Sequence, residues 1–179
     1  QNWERPEQEV EALMGLLGEY LVSERYEILN NGIRLTAVGQ LDRLPRLVLM
    51  VLDELMTASA HNTDMTLVLA LSYGGQEEIA RAARDLAQKA VDGQLAVSDI
   101  DVDMIKTRLP SLEHGEPDLI IRTGGETRLS NFLLYGSAYA ELVFSSRLWP
   151  DFEATDLFAA IASFQQRDRR FGRVVSTSS

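Results

Sequence analysis

The sequence predicts an α/β fold with a mostly parallel central sheet flanked by helices. Segments with helical apolar periodicity alternate along the chain with short apolar segments typical of buried strands. Such alternation favours right-handed crossovers, which make successive strands parallel and place helices on both faces of the sheet. Three predicted strands are closely followed by glycine, and ligands of this fold class bind outside the carboxyl ends of the strands. We therefore expect a binding site at that edge.

The first predicted element is a long amphipathic helix over residues 7–30. Pro6 suits the first turn of a helix, and Asn31-Gly32 supplies a left-handed stop. Between these signals, apolar residues recur at helical spacing, at Val10, Leu13, Met14, Leu17 and Leu21.

A strand, a buried helix and a second strand are predicted next, at residues 33–38, 44–60 and 65–73. The second strand is almost entirely apolar, which is typical of a strand inside a parallel sheet. Gly39 follows the first strand and is interpreted as an ordinary turn residue, whereas Gly74-Gly75 follows the second.

The second half of the chain continues the alternation. The predicted elements are a helix over residues 79–90 closed by Gly93, a helix capped by Ser98 and reaching Arg108, a strand at 118–122, a short helical segment at 129–135, a strand at 141–144 and a last helix at 157–164.

Length and composition favour one globular domain over residues 1–179, with 45% hydrophobic residues. There is no cysteine and there are two histidines far apart, so a metal would be held mainly by oxygen. The longest apolar run, residues 47–52, is far below the roughly 18 residues of a membrane span, so we expect a soluble, cytoplasmic protein. A net charge of −10 argues against nucleic-acid binding, which depends on neutralising phosphates.

The basic residues point to a small anionic ligand, because all but two of them are arginine. The planar guanidinium suits a bidentate grip on phosphate or carboxylate. The alternative from composition alone is that these arginines pair with the surplus of acidic residues on the surface.

The segment 118–132 contains the pattern most informative about chemistry. Arg122 closes an apolar strand, Gly124-Gly125 allows a tight turn, and Arg128 and Ser130 follow where a helix is predicted to begin. Guanidinium groups, a hydroxyl and helix-start amides would suit a diphosphate. A salt-bridged structural loop would have the same sequence features. Neither a Walker loop nor a dinucleotide-binding fingerprint occurs, so nucleotide hydrolysis and hydride transfer are disfavoured.

A series of collinear motifs extends over essentially the whole chain. They are Asn2-Trp3-Glu4-Arg5-Pro6, Gly32-Ile33-Arg34, Tyr73-Gly74-Gly75, residues 118–132, Ala138-Tyr139-Ala140-Glu141-Leu142, Trp149-Pro150-Asp151-Phe152 and Arg169-Arg170-Phe171-Gly172. In these motifs the chain resembles the cis-prenyltransferases, most closely the bacterial undecaprenyl diphosphate synthases, or isoprenyl transferases. The resemblance implies condensation of isopentenyl diphosphate onto an allylic diphosphate such as farnesyl diphosphate. The products would have cis double bonds and serve as polyprenyl diphosphate precursors of the cell-wall lipid carrier.

The resemblance also implies roles for individual residues. The grip on isopentenyl diphosphate is assigned to Arg122, Arg128, Ser130 and the Leu129 backbone. Glu141 is assigned as a ligand of Mg²⁺, which takes few carboxylates together with waters and substrate phosphates.

Further roles implied by the resemblance fall at the two ends of the chain. Asn2 is assigned to proton removal, and we interpret it as a positioning group because an amide is a poor base. Trp3 and Arg5 would flank the substrate, although Trp3 would equally serve as a hydrophobic staple for the following helix. Arg170 and Gly172 resemble an element that reaches across a homodimer to the partner's diphosphate. Helix 7–30 and the strand from residue 65 would line a product tunnel, with peripheral membrane contact for product release.

One departure from the family concerns the allylic site. The family carries an Asp-Gly-Asn-Gly-Arg-Trp loop that binds the allylic diphosphate, and this motif does not occur in the sequence. We therefore expect an N-terminal part to be missing, and this chain alone to be inactive while its full-length parent is active. The alternatives are a non-catalytic subunit that dimerises with an active partner and, more distantly, a phosphate-ester hydrolase using Asp118.

Overall fold

The computed structural model describes residues 6–167 and confirms an α/β protein with parallel strands and flanking helices. The described elements are, in order, α1 (Glu7–Ser23), α2 (Arg25–Asn30), β1 (Ile33–Gly39), α3 (Arg46–Ser59), β2 (Met65–Leu71), α4 (Gly75–Val91), α5 (Val102–Lys106), β3 (Leu119–Arg122), β4 (Glu141–Phe144) and α6 (Ala154–Gln165). The chain divides into two compact units between Glu113 and His114. The single domain over residues 1–179 stays a prediction, and each unit is described by itself.

The prediction of one continuous helix over residues 7–30 is wrong at one point, because a turn at Glu24 separates α1 from α2. At this end of α1 the Ser23 hydroxyl donates to the Tyr20 carbonyl at 3.2 Å, a local bond that competes with helix continuation. The predicted stop is confirmed, since Gly32 has a φ of +64°.

The core of the first unit forms around one face of α3. Val48, Leu52, Leu55 and Ser59 are all buried, and their spacing of four, three and four residues places them on a single helical face. Val48, Leu52 and Leu55 pack in one cluster with Leu21 of α1, Ile28 of α2 and Leu35 of β1. Removing this much apolar surface from water is the main stabilising term of the unit.

Strands β1 and β2 pair in parallel from Ile33 opposite Met65 to Gly39 opposite Leu71. The other edge of β1 is hydrogen-bonded to the side chains of Ser59, the last residue of α3, and Asn62, just after α3. The Leu35 N–H donates to Ser59 Oγ at 3.0 Å, and Asn62 Nδ2 donates to the Ile33 carbonyl at 2.9 Å. The Leu35 N–H and the Ile33 carbonyl therefore have hydrogen-bond partners, although no described strand pairs with β1 on that side.

Gly39 is more than the ordinary turn residue expected from the sequence. Its φ is +116°, and a Cβ atom at this position would lie 2.0 Å from the Leu71 carbonyl oxygen. The Gln40 N–H donates to the Ser72 carbonyl at 3.2 Å just beyond. Glycine is therefore required because the ends of β1 and β2 approach each other closely.

We expect Asn62→Asp to lower the free energy of unfolding of the first unit by about 2 kcal/mol, because a carboxylate cannot donate to the three surrounding carbonyls. The wild-type amide donates to Ile28, Leu29 and Ile33 at 3.3, 3.5 and 2.9 Å. Urea unfolding followed by circular dichroism measures the change. Asn30→Asp is the matched control, since the exposed Asn30 amide donates only to Tyr26 and its loss should matter by at most about 1 kcal/mol. Equal losses in the two variants would contradict the role given to Asn62.

The predicted helix cap at Ser98 is wrong. Ser98 lies in a single 3₁₀ turn and its hydroxyl donates to Asp99, whereas α5 begins after Asp101. The Asp101 carboxylate accepts the Met104 N–H at 2.8 Å and so caps the helix. Asp101, three residues after Ser98, is therefore the helix N-cap that the sequence analysis assigned to Ser98.

The second unit contains the parallel pair β3 and β4, from Leu119 opposite Glu141 to Arg122 opposite Phe144. The two predicted strands are confirmed, and α6 is confirmed with a capping box formed by Glu153 and Asp156.

The helical segment predicted over residues 129–135 is wrong. Positive φ values at Ser130, Asn131 and Leu133 make this stretch a succession of turns. A left-handed backbone at three nearby positions is incompatible with a right-handed helix. The apolar spacing that suggested a helix here therefore reflects partial burial of a loop.

Candidate functional site

The loop that follows β3 is tied to the loop that follows β4 by backbone hydrogen bonds. The Ser145 N–H donates to the Arg122 carbonyl at 2.8 Å, the Gly124 N–H to the Arg147 carbonyl at 2.7 Å and the Gly125 N–H to the Ser145 carbonyl at 2.9 Å. Gly124 and Gly125 have φ values of +87° and +77°, while their missing Cβ atoms would meet nothing within 4 Å. Glycine is needed here for backbone conformation, and these two amides already have partners.

Arg122 organises the loop from within. Its position at the carboxyl end of β3 follows from the apolar strand before it, of which Ile120 is buried. The Arg122 guanidinium donates through Nη1 to the backbone carbonyl of Arg128, which closes residues 122–128 into a compact loop. This hydrogen bond therefore fixes the backbone position of Arg128 at the end of the loop.

Arg128 presents its guanidinium to solvent, with 67% of the side chain exposed. Its ion-pair partner is Glu126, two residues earlier in the same loop. Pairs this exposed contribute little to stability because water and salt screen them. An anion with more charge than one carboxylate, such as a diphosphate, can therefore displace Glu126 at small cost.

The expected helix N-terminus at Arg128 to Ser130 is absent from the described loop, so helix-start amides contribute nothing to anion binding there. Ser130 has a φ of +49° and is exposed, and Leu129 is partly buried, with its carbonyl accepting the Phe132 N–H at 3.1 Å. Binding of an anion by this loop must rest on the two guanidinium groups and on the polar groups of residues 129–130.

Glu141 lies at the opposite end of the strand pair from Arg122. It is the first residue of β4 and pairs with Leu119, three residues before Arg122. At about 3.3 Å per residue this offset is about 10 Å along the strand, and alternation puts the two side chains on opposite faces. The structure therefore brings Arg122 and Arg128 together but does not make Glu141 converge on them within one chain.

The Glu141 carboxylate has a basic partner. Arg167, just after α6, donates through Nη1 to Glu141 Oε2 at 2.5 Å, and the two side chains are 44% and 27% exposed respectively. The Glu141 N–H donates to the Asp118 carbonyl at 2.9 Å. Sequence reasoning missed this arginine, which lies 26 positions from Glu141.

A single carboxylate fits Mg²⁺ as one ligand, since this ion commonly combines one or two carboxylates with waters and substrate phosphates. Within residues 6–167, no group of three or more histidine and acidic side chains is arranged to hold a metal. Glu141 therefore suits a cation that arrives with an anionic substrate, and does not suit an all-protein metal cage.

Five of the predicted site residues lie outside the described residues. They are Asn2, Trp3, Arg5, Arg170 and Gly172.

Sequence reasoning missed a buried polar cluster at the carboxyl ends of β1 and β2. Glu78 is 9% exposed, and its carboxylate accepts from the Tyr73 hydroxyl at 2.7 Å and from the Ser111 N–H and hydroxyl at 2.8 and 2.7 Å. The available signal was an acidic residue on the buried stripe of α4, beside Gly75 and Ala82. Glu78 thus ties the start of α4 to the turn at Pro110–Leu112 and borders a small cavity of about 150 Å³.

A larger, apolar groove of about 850 Å³ lies between α1 and α3. Its walls carry Val10, Met14, Val48 and Val51, and glycines at positions 15 and 18 leave room along α1. At about 1.5 Å per residue, the α1 wall from Glu7 to Gly18 is about 17 Å long. Such a volume and lining suit a hydrocarbon chain.

The second unit thus carries two arginines in a loop at a strand end, and the first unit, taken by itself, carries a long apolar groove. The family described as putative undecaprenyl diphosphate synthase matches residues 1–172. The chain belongs to this family, and curated relatives of it are isoprenyl transferases, so it is of the cis-prenyltransferase type.

Curated relatives and solved structures agree with this assignment. The chain is 47% identical to the isoprenyl transferase of Porphyromonas gingivalis, covering 97% of this chain and 68% of that protein, and 42% identical to that of Chlorobaculum tepidum, covering 97% and 65%. It thus spans about two thirds of the length of these relatives. A crystal structure of lavandulyl diphosphate synthase from Lavandula x intermedia in complex with dimethylallyl diphosphate has a TM-score of 0.93 at 37% identity, covering 97% of this chain and 75% of that one. A probable undecaprenyl diphosphate synthase from Campylobacter jejuni has a TM-score of 0.81 at 31% identity, covering 96% and 78%.

The helices of residues 6–167 include none with the length and apolar character needed to cross a membrane.

Proposed function

We propose that this chain binds isopentenyl diphosphate and shelters the prenyl chain of a synthase that joins isopentenyl units to farnesyl diphosphate with cis double bonds. The observation that carries the proposal is the loop of residues 122–128, in which one guanidinium holds the loop and a second faces solvent. Family membership supplies the reaction type, and the product is proposed to be a polyprenyl diphosphate precursor of a cell-wall lipid carrier.

The chemistry explains why this loop is suitable. During condensation the bond between the allylic carbon and its diphosphate oxygen breaks, and the isopentenyl double bond supplies the electrons of the new carbon–carbon bond. A proton then leaves the isopentenyl unit. Holding isopentenyl diphosphate by its head aligns its double bond, and fixed orientation of two reactants is a major source of rate enhancement. We assign that grip to Arg122, Arg128, the Leu129 backbone and Ser130.

The remaining groups are proposed from the family pattern. Glu141 would hold Mg²⁺ together with substrate phosphates, and the ion when bound would neutralise diphosphate charge. Asn2 would position the proton that leaves, with Trp3 and Arg5 beside the substrate. Arg170 and Gly172 would reach the diphosphate of the partner in a homodimer.

The groove between α1 and α3 is proposed to hold the growing hydrocarbon chain. Its apolar lining would remove the prenyl tail from water, which is favourable in proportion to the area covered. Leu47 lines the groove and is largely exposed, so this part of the groove is open to solvent. We propose that product leaves here through peripheral contact with a membrane from the cytoplasmic side.

The proposal predicts binding without turnover for these 179 residues. Isothermal titration of isopentenyl diphosphate should show one site whose affinity falls as salt rises, because the grip is electrostatic.

Turnover is measured separately, as transfer of labelled isopentenyl units onto farnesyl diphosphate in the presence of Mg²⁺. Labelled prenyl product should be undetectable for this chain and present for a parent that contains the Asp-Gly-Asn-Gly-Arg-Trp loop.

Arg147→Gln is the matched control for the binding measurement, since Arg147 lies in the same unit with its side chain 61% exposed and paired with Asp156 at 3.6 Å. It should bind isopentenyl diphosphate like the wild type. Absence of binding by the wild-type chain would contradict the proposed site, and turnover by the 179 residues alone would contradict their proposed inactivity.

A further inference from the structure

The ion pair between Glu141 and Arg167 involves the carboxylate that is the proposed metal ligand. The oxygen that accepts from Arg167 is Oε2, at 2.5 Å. A Mg²⁺ ion binds carboxylate oxygen at about 2.0–2.1 Å and carries two positive charges. A guanidinium in contact with the same carboxylate is therefore repelled by the arriving ion and crowds its coordination shell.

The arrangement of the second unit keeps Arg167 at this position. Helix α6 is fixed at its start by the capping box of Glu153 and Asp156 and is anchored by buried Ala160. Arg167 follows its last turn, where its own N–H donates to the Phe164 carbonyl at 3.1 Å. Glu141 is held by β4 pairing and by the bond of its N–H to Asp118. Both partners are thus placed by backbone structure.

We propose that Arg167 is a resident counter-ion of Glu141 that a divalent cation must displace before it binds. The inference rests on the proposed role of Glu141 as a metal ligand. Arg167 is a positioning residue: it holds the carboxylate in place in the metal-free protein and lowers the affinity of the site for a divalent cation.

A purely structural role for the pair would give a different result. Both side chains are partly exposed, and ion pairs of this kind contribute little to stability. If the pair served only to join α6 to β4, its removal would leave metal affinity unchanged. If Arg167 competes with the cation, its removal would raise metal affinity with little change in stability.

The experiment measures Mn²⁺ binding to the full 179-residue chain in the presence of isopentenyl diphosphate, by the enhancement of the water-proton relaxation rate on protein binding, with Mg²⁺ as competitor. We expect Arg167→Gln to bind Mn²⁺ about two- to fivefold more tightly, the change that corresponds to losing an exposed ion pair. Arg167→Lys keeps the charge and should stay close to the wild type. Glu141→Gln should lose the site.

Arg147→Gln separates this local competition from a general change in charge. It also removes one positive charge from an exposed arginine paired with a carboxylate in the same unit, but that carboxylate is Asp156. Its Mn²⁺ affinity should change by less than about 1.5-fold, because exposed charges at a distance are screened.

Two failures are distinguishable. If Glu141→Gln binds Mn²⁺ as well as the wild type, the proposed metal ligand is wrong and the inference is overturned with it. If Glu141→Gln loses the site while Arg167→Gln binds no more tightly than Arg147→Gln, the metal ligand stands and the counter-ion role is overturned. A parallel thermal melt checks that each variant is folded.

Discussion

Replacing Arg122 with glutamine should raise the dissociation constant for isopentenyl diphosphate by about 10- to 100-fold, which corresponds to the loss of one or two hydrogen bonds to a charged group. Two causes act together. The variant loses one guanidinium from the proposed diphosphate grip, and it also loses the bond from that guanidinium to the Arg128 carbonyl that closes the loop. Isothermal titration on the 179-residue chain gives the constant directly.

Arg122→Lys distinguishes these causes, because lysine keeps the charge but cannot offer the planar fork of donors. It should recover only part of the affinity. Arg147→Gln serves again as the matched control and should bind normally. If Arg122→Gln binds like the wild type while remaining folded, the loop of residues 122–128 is not the diphosphate site.

Gly39→Ala should destabilise the first unit by about 3–5 kcal/mol, since an alanine at positive φ is strained and its Cβ would collide with a fixed backbone atom. The nearest atom is the Leu71 carbonyl oxygen at 2.0 Å from the ideal Cβ position. Relief requires the ends of β1 and β2 to separate. Hydrogen–deuterium exchange read by mass spectrometry should show faster exchange in the peptides of β1 and β2, with the peptides of β3 and β4 unchanged.

Gly93→Ala is the matched control for backbone strain without collision. Gly93 has a φ of +69°, and a Cβ there would meet nothing within 4 Å. Its cost should be about 1 kcal/mol, the lower end of the range for a strained residue. Equal effects of the two substitutions would contradict the close approach of β1 and β2 as the reason for glycine at position 39.

Much of the fold was predictable because it depends on local periodicity. The apolar stripe of α3 and the apolar segments of β2, β3 and β4 each identify the element from its own residues. The break at Glu24 and the turns over residues 129–135 were not predictable in this way. They depend on side-chain bonds and left-handed backbone angles that apolar spacing does not report.

The candidate site was predictable in its residue types and only partly in its geometry. Arg122 at a strand end and Arg128 beyond a glycine pair could be identified from the sequence, since both belong to one short segment. The bond from Arg122 to the Arg128 backbone and the role of Glu126 as the partner of Arg128 could not. Glu78 was missed because two of the three hydrogen bonds that its carboxylate accepts come from Ser111, 33 positions away, and the third comes from Tyr73.

The sequence by itself determined the α/β class, the family and the residues that suit a diphosphate, because these follow from periodicity and from motifs of adjacent residues. Tertiary structure alone decided that Gly39 faces the Leu71 carbonyl and that Arg122 and Glu141 lie at opposite ends of a strand pair. It also decided that Arg167 forms an ion pair with Glu141. These are contacts between residues distant in sequence. They exist only after packing has fixed the backbone, so no local pattern encodes them.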